Sequence, residues 1–219
     1  MTILLPTAYL PPVSYIAACA ASNEIMIEAW ETYPKQTFRN HCEIGGPNGR
    51  QRLTVPVNRP NGNHTMTKDI RISSHIPWQK IHWRSFEAAF NKSPFFLYYQ
   101  DYLLPFYEKE FEFLLDFNLQ LMDTIFQAIR LDKYVTCTES FEDAPLGITD
   151  FRIQWAGGSG QEAGGSWQEA VDGGQWAVGR QPEYYQVFAD RHGFLKDLSV
   201  VDLLFNLGPE AFGYLRSSS

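Results

Sequence analysis

Cysteine is scarce in this chain. The 219 residues hold three (Cys19, Cys42 and Cys137), and none sits in a C-x-x-C pair. An odd, sparse count excludes a disulfide framework and points to reduced thiols in a cytoplasm. No uninterrupted apolar run approaches the roughly 18 residues that a membrane span needs. Ile16-Ala17-Ala18-Cys19 has the look of a lipoprotein cleavage site, but no Lys or Arg precedes it, and Pro6, Pro11 and Pro12 interrupt the apolar run. A secretory signal is therefore not expected. The chain also lacks G-x-x-x-x-G-K-[ST], H-E-x-x-H and G-x-S-x-G. Their absence removes three common signatures of phosphate loops, zinc proteases and serine hydrolases. The five histidines are scattered, so no metal site is expected. Gly158-Ser159-Gly160-Gln161-Glu162-Ala163 matches a dinucleotide fingerprint in letters only. Gly164 and Gly165 would cost the required following helix about 1 kcal/mol each, and no cofactor is assigned.

What the chain does have is apolar material and uneven charge. Hydrophobic residues make up 44% and aromatics 15%, ample for a packed core. Net charge is −7, which argues against a dedicated nucleic-acid binder. Between Thr32 and Lys92, however, ten Lys/Arg face only Glu43, Asp69 and Glu87, a local balance of +7 against −14 elsewhere. Four of the five histidines (His41, His64, His75 and His82) lie in the same segment. A positive block in an acidic protein focuses a field on a small anion. The competing reading is a strand surface kept soluble by Lys and Arg.

The pattern of elements predicts a mixed α/β fold. Ile3-Leu4-Leu5, a helix from Pro12 to about Ser22, and Ile25-Met26-Ile27 make a parallel strand–helix–strand start. A β-rich segment follows, with strands near 37–44 and 51–57 joined by the turn GGPNG, and an alternating strand over Asp69–Ile72. On a strand, Lys35, Thr37, Arg39 and His41 share one face, with Cys42 on the other. From Pro77 to Leu131 the periodicity turns helical, with Ser93 as a cap and Pro105 as a break. Leu119, Met122, Phe126 and Ile129 recur at helical spacing and read as core. Tyr134–Thr138 reads as a strand. Residues 156–180 hold eight glycines and read as a flexible loop. Ser199 caps a last helix, with Asp202 closing a capping box.

Several ordered stretches together resemble the WbqC-like protein family of bacterial polysaccharide-biosynthesis gene clusters. They are PTAYLPPVSYIAA, YPKQTFRNHCEI, NGRQRLTVPV, WQKIHWRSFEAAFNKSPFFLYY, YYQVF and FLKDLSVVDLLFNLGPEA. The resemblance covers most of the chain and implies one domain over residues 1–219. It departs at the start, where many relatives carry His-Gln-Pro before Tyr-x-Pro and this chain has Leu5-Pro6-Thr7-Ala8. Were that His catalytic, this branch would be inactive or use another group. The polar turn of the family maps onto Lys35, Arg39 and Asn40, which reads as a clamp on a phosphate or carboxylate. Tyr9 either stacks on a sugar or base or wedges its loop onto the core. His82 is either a packed core residue or a general acid–base group, and Asp202 either a cap or a ligand contact. The catalytic candidates are His82 and Lys35; the substrate-binding candidates are Tyr9, Arg39 and Asn40.

The resemblance implies a context, surface glycan assembly in bacteria, and not a mechanism; together with the +7 segment it leads to the expectation of a transferase-type enzyme of that pathway. Its expected partner is a small anionic substrate such as a nucleotide sugar or acyl donor. The alternative is a non-catalytic protein that binds an anionic glycan or small ligand of the same pathway. Nucleic-acid binding is disfavoured by the −14 balance outside the basic segment.

Overall fold

The computed structural model describes residues 1–34, 37–143, 146–155 and 181–217. The glycine-rich stretch, with its fingerprint-like motif, and Lys35 lie outside the described residues.

The chain opens with β1 (Thr2–Pro6), α1 (Val13–Ala21) and β2 (Glu24–Glu28). Next come β3 (His41–Gly46), β4 (Gly49–Thr54), β5 (Val57–Asn58) and β6 (Arg71–Ile72). A helical block follows: α2 (Trp78–Phe90), α3 (Phe96–Glu108) and α4 (Leu114–Ile129). Then come β7 (Val135–Cys137), β8 (Ile148–Asp150), α5 (Ala189–His192), α6 (Val200–Leu207) and α7 (Ala211–Ser217). One four-stranded sheet runs in the order β7-β2-β1-β8, and every pairing in it is parallel. The β3–β4 hairpin and the β5–β6 pair are antiparallel. The mixed α/β architecture and its parallel opening thus match the expectation. No described helix is long and apolar enough to cross a membrane.

Ile3, Leu5, Ile25 and Ile27 alternate along β1 and β2 and enter the common core with Tyr15, Phe86 and Phe117. Leu4 and Met26 point to the opposite face and line a groove of about 390 Å³ with Cys137 and Ile148. In α4, Met122, Phe126 and Ile129 are buried as their spacing predicted, while Leu119 is only half-buried.

Several local signals yield to tertiary partners. Residues 37–40 form a turn, not a strand: Asn40 N–H donates to the Thr37 carbonyl at 3.2 Å, and β3 begins only at His41. The expected shared face of Arg39 and His41 is therefore not formed by strand alternation. The strand over 69–72 shrinks to Arg71–Ile72. Ser93 does not cap α3; its hydroxyl donates to Asn206 Oδ1 at 3.0 Å. Pro105 sits inside α3, which continues to Glu108. The carbonyl deprived of its bond belongs to Asp101, an exposed residue. The strand Ile148–Asp150 was not anticipated; three residues are too short for an alternation signal.

The C-terminal segment stitches the N-terminal loop. Pro12 has no side-chain acceptor to cap α1, so Asp197 does it, accepting from Ser14 N–H and Ser14 Oγ at 2.9 Å each. Leu10 holds φ +42, unusual for a branched residue. It is pinned by Ser199 Oγ donating to its carbonyl at 2.8 Å and by Val200 N–H on the Pro11 carbonyl at 2.8 Å. Gly208 closes α6 at φ +55 with Phe95 against it: a Cβ there would lie 2.5 Å from the Phe95 ring. Only glycine satisfies both demands.

Ser199 does cap α6, accepting from Val201 N–H at 3.5 Å. Asp202 does not complete a box, because the Ser199 N–H already donates to the Glu43 carbonyl at 2.7 Å. Asp202 instead accepts from Tyr184 OH at 2.9 Å inside the core. Burial raises its pKa to about 6. A folded pKa above the unfolded one means the stability contribution is full below about pH 4 and is lost as pH rises through about 6. Asp202→Asn removes this titration. The variant-minus-wild-type difference in unfolding free energy is expected to grow by about 3 kcal/mol between about pH 3.5 and pH 7. Urea unfolding across that range measures it, and a flat difference contradicts the assignment.

Candidate functional site

Open parallel sheets bind ligands beyond the carboxyl ends of their strands, where the chain order reverses. Here β1 leads to β2 on one side while β8 lies on the other, so the reversal falls between β1 and β8. The residues just past those strand ends are Thr7, Glu28 with Glu31, and Asp150 with Arg152.

Arg152 spans this edge. Its Nε and Nη2 grip Asp150 at 2.6–3.1 Å, its Nη1 donates to Glu28 Oε2 at 3.0 Å, and Nη2 also reaches the Asp143 carbonyl at 2.9 Å. Glu28 is fully buried, and its other oxygen accepts from Trp30 N–H at 2.7 Å and Thr138 Oγ1 at 2.9 Å. Hydrogen bonds to Asp150 raise the Arg152 pKa further. The guanidinium thus ties the end of β8 to the end of β2 across β1. With all three of its guanidinium nitrogens hydrogen-bonded, Arg152 is a structural clasp.

Arg39 differs. Its side chain is 1% exposed, and both Nε and Nη2 converge on the single oxygen Oε1 of Glu31, at 2.8 and 2.6 Å. Nη1 is buried with no partner among the described residues. So are Tyr33 OH, Thr67 Oγ1 and Asn118 Oδ1. These groups belong to one layer. Thr67 N–H donates to the Glu31 carbonyl at 2.9 Å, and Tyr33 N–H to the Thr65 carbonyl at 2.9 Å. Asn118 Nδ2 donates to the Arg39 carbonyl at 2.8 Å and to Thr7 Oγ1 at 3.1 Å. Buried polar atoms are nearly always satisfied, so orphans on segments bonded to one another mark a layer with hydrogen-bonding capacity left over among the described residues. Glu31, 13% exposed, leads from this layer to solvent. Burial raises its pKa despite the neighbouring Arg39. A carboxylate with one oxygen held and the other uncommitted among the described residues, and with raised basicity, is suited to proton transfer.

Of the other candidates, Asn40 is buried next to Arg39. Its Nδ2 donates to the Val55 carbonyl at 2.9 Å, and its Oδ1 is another orphan. Tyr9 and His82 meet each other, away from Glu31. Tyr9 is 0% exposed, and its hydroxyl contacts His82 Nδ1 at 2.8 Å and Tyr107 OH at 2.7 Å. The His82 ring also bonds the Thr54 backbone, and burial lowers its pKa to about 4. A carbonyl only accepts, so His82 carries its proton on Nε2 and accepts from Tyr9, which accepts from Tyr107. This is a neutral relay inside an aromatic layer, with Phe117 stacked on Tyr9 at 5.7 Å. No face of Tyr9 is open for a sugar. Cys42 is buried, which pushes its thiol pKa well up, as a structural cysteine's would be.

The basic segment does not form a single positive hollow. Arg39 pairs with Glu31, Arg50 and Arg52 with Glu43, Lys68 with Asp69, and Arg71 with Glu112. Two of those acids, Glu31 and Glu112, lie outside the segment, which is why its +7 overstates the local field. Sequence reasoning missed Glu28, Glu31, Tyr33, Asn118 and Arg152. The legible signal was Glu28 and Glu31 bracketing the end of the apolar strand EIMIE; nothing in sequence placed Arg152 opposite them.

An α/β protein with a four-stranded parallel sheet and a buried arginine layer at its carboxyl edge is thereby defined. The chain belongs to the WbqC-like protein family, whose model matches residues 7–151. It is 27% identical over 231 residues to the uncharacterized protein Rv1507c of Mycobacterium tuberculosis, an alignment covering 97% of this chain and 96% of that one. No solved structure matches.

Arg152→Ala leaves the Glu28 carboxylate buried without its counter-ion. Unfolding free energy is expected to fall by about 3–5 kcal/mol, read by urea denaturation. Adding Glu28→Gln recovers part of the loss, because the charge that lacked a partner is gone. Equal stabilities for wild type and Arg152→Ala rule out the clasp.

Proposed function

We propose that this chain is a transferase-type enzyme of bacterial surface polysaccharide assembly, acting on an anionic activated donor such as a nucleotide sugar or acyl donor. The observation that carries the proposal is the Nη1 of buried Arg39, unpartnered among the described residues, at the carboxyl edge of the parallel sheet. Arg39 takes the donor's phosphate or carboxylate, with Tyr33 OH and Thr67 Oγ1 as further donors. The family resemblance supports the polysaccharide context. Glu31 removes the proton from the acceptor hydroxyl. The acceptor oxygen bonds to the donor carbon as the leaving group departs with its bonding electrons, and Arg39 offsets the charge it carries away. Asn40 and Asn118 position Arg39 through its flanking backbone.

A second reading, a non-catalytic protein that binds an anionic ligand of the same pathway, is favoured by one observation. Tyr9, His82 and Tyr107 are hydrogen-bonded among themselves, so none offers an activated group.

Calorimetric titration with a panel of uridine-, guanosine- and thymidine-diphosphate sugars and an acyl-coenzyme A tests the donor site. Wild type is expected to bind at least one, and Arg39→Lys to weaken that binding at least tenfold, since an ammonium lacks the two-pronged geometry. Glu31→Gln is expected to keep donor affinity within about threefold and to lose 10²–10⁴-fold in turnover. Heat from none of the donors overturns the reading. Donor binding with no turnover in wild type, and no effect of Glu31→Gln, selects the non-catalytic protein instead.

A further inference from the structure

Tyr107, whose hydroxyl holds Tyr9, also lines a surface groove of about 590 Å³ between α2 and α3. That volume lies within the range of small-ligand sites, about 300–1,000 Å³. Trp83 lines it as well, half-buried, its ring 5.7 Å from that of Tyr107 and tilted by 43°. Leu104 is a further half-buried apolar residue of the lining.

The rim is charged and of mixed sign. Lys80 and Arg84 stand against Glu87, Glu108 and Glu110, all exposed. None of the five forms an ion pair with another described residue. A charged ligand meets repulsion from two or more groups whichever sign it carries. A flat apolar ligand would use the aromatic surface and leave the rim without hydrogen bonds. A neutral sugar ring uses both: its C–H face lies on Trp83, while its hydroxyls donate to the carboxylates and accept from the lysine and arginine.

We propose that the α2–α3 groove binds a neutral sugar unit of a glycan, with Trp83 as its stacking surface and Arg84 and Glu108 as hydroxyl partners. None of the groove's lining residues belongs to the Arg39 layer, so this site stands or falls separately from the donor reading. In the context of that reading it is a holding site for the acceptor chain.

The test is saturation-transfer NMR and intrinsic fluorescence titration of the full chain with glucose, N-acetylglucosamine and maltose at up to tens of millimolar. At least one is expected to bind in the millimolar range. Trp83→Ala and the rim variants Arg84→Ala and Glu108→Gln are each expected to weaken it fivefold or more. Arg84 and Glu108 are exposed, so their variants keep the wild-type melting temperature and remain informative if Trp83→Ala fails to fold. Arg39→Lys is expected to leave sugar binding unchanged. Binding of none of the three sugars overturns the proposal. So does binding that Arg84→Ala and Glu108→Gln both leave intact, or binding of glucuronate or glucosamine more tightly than glucose. Self-association abolished by Arg84→Ala, without sugar binding, assigns the groove to a second copy of the chain and also overturns it.

Discussion

Two guanidinium groups taken out of water organise the carboxyl edge of the parallel sheet. Removing a charge from solvent costs several kcal/mol unless counter-charge and hydrogen bonds offset it. Arg152 is offset by Asp150, Glu28 and a backbone carbonyl, and in meeting that demand it binds the ends of β8 and β2 to each other. Arg39 is offset by Glu31, which draws the chain after β2 against the turn at 37–40. The same electrostatic requirement therefore sets the strand ends and positions the loops beyond them.

The two arginines differ in how far their donors are matched. Arg152 has every guanidinium nitrogen hydrogen-bonded and holds the strand ends. Among the described residues Arg39 keeps one amino group unmatched, in a layer with orphaned hydroxyl and amide oxygens, beside a carboxylate whose affinity for protons is raised by burial. A low dielectric makes each of those unsatisfied groups costly, and such cost is characteristic of binding sites. Tyr9, His82 and Tyr107 show the opposite arrangement: polar groups buried just as deeply, yet matched to one another and sealed by Trp78 and Phe117. Their relay supports the layer between the sheet edge and the α2–α3 groove. Burial alone thus does not separate the two arrangements; the matching of the buried polar groups does.

Much of the architecture was legible because its signals are local. Ile25-Met26-Ile27 after an α1 begun at a proline, GGPNG between paired strands, and the 3- and 4-residue spacing in α4 each express a short-range preference. Where the signal failed, a distant partner had taken the group it relied on. Ser93 turned to Asn206, and Asp202 lost the Ser199 N–H to Glu43; Thr37 is the local exception, closing a turn with Asn40 that its β-propensity did not predict. For the candidate site, Arg39 and Asn40 were singled out by family resemblance and charge. Their partners were not, because Glu31 lies just outside the cation-rich segment and no motif sets it against Arg39.

The amino-acid sequence by itself determined the periods of the elements, the apolar faces that make a core, and the concentration of cations between Thr32 and Lys92. These depend on neighbours within a few residues, and the chain carries them wherever it is placed. Only the tertiary structure decided which cations are neutralised, which polar atoms lose water, and which carboxylate has its proton affinity raised. Arg152 meets Glu28 across 124 residues, and Tyr9 meets Tyr107 across 98. Charge pairing and desolvation act through space, between groups whose distance along the chain says nothing of their distance apart.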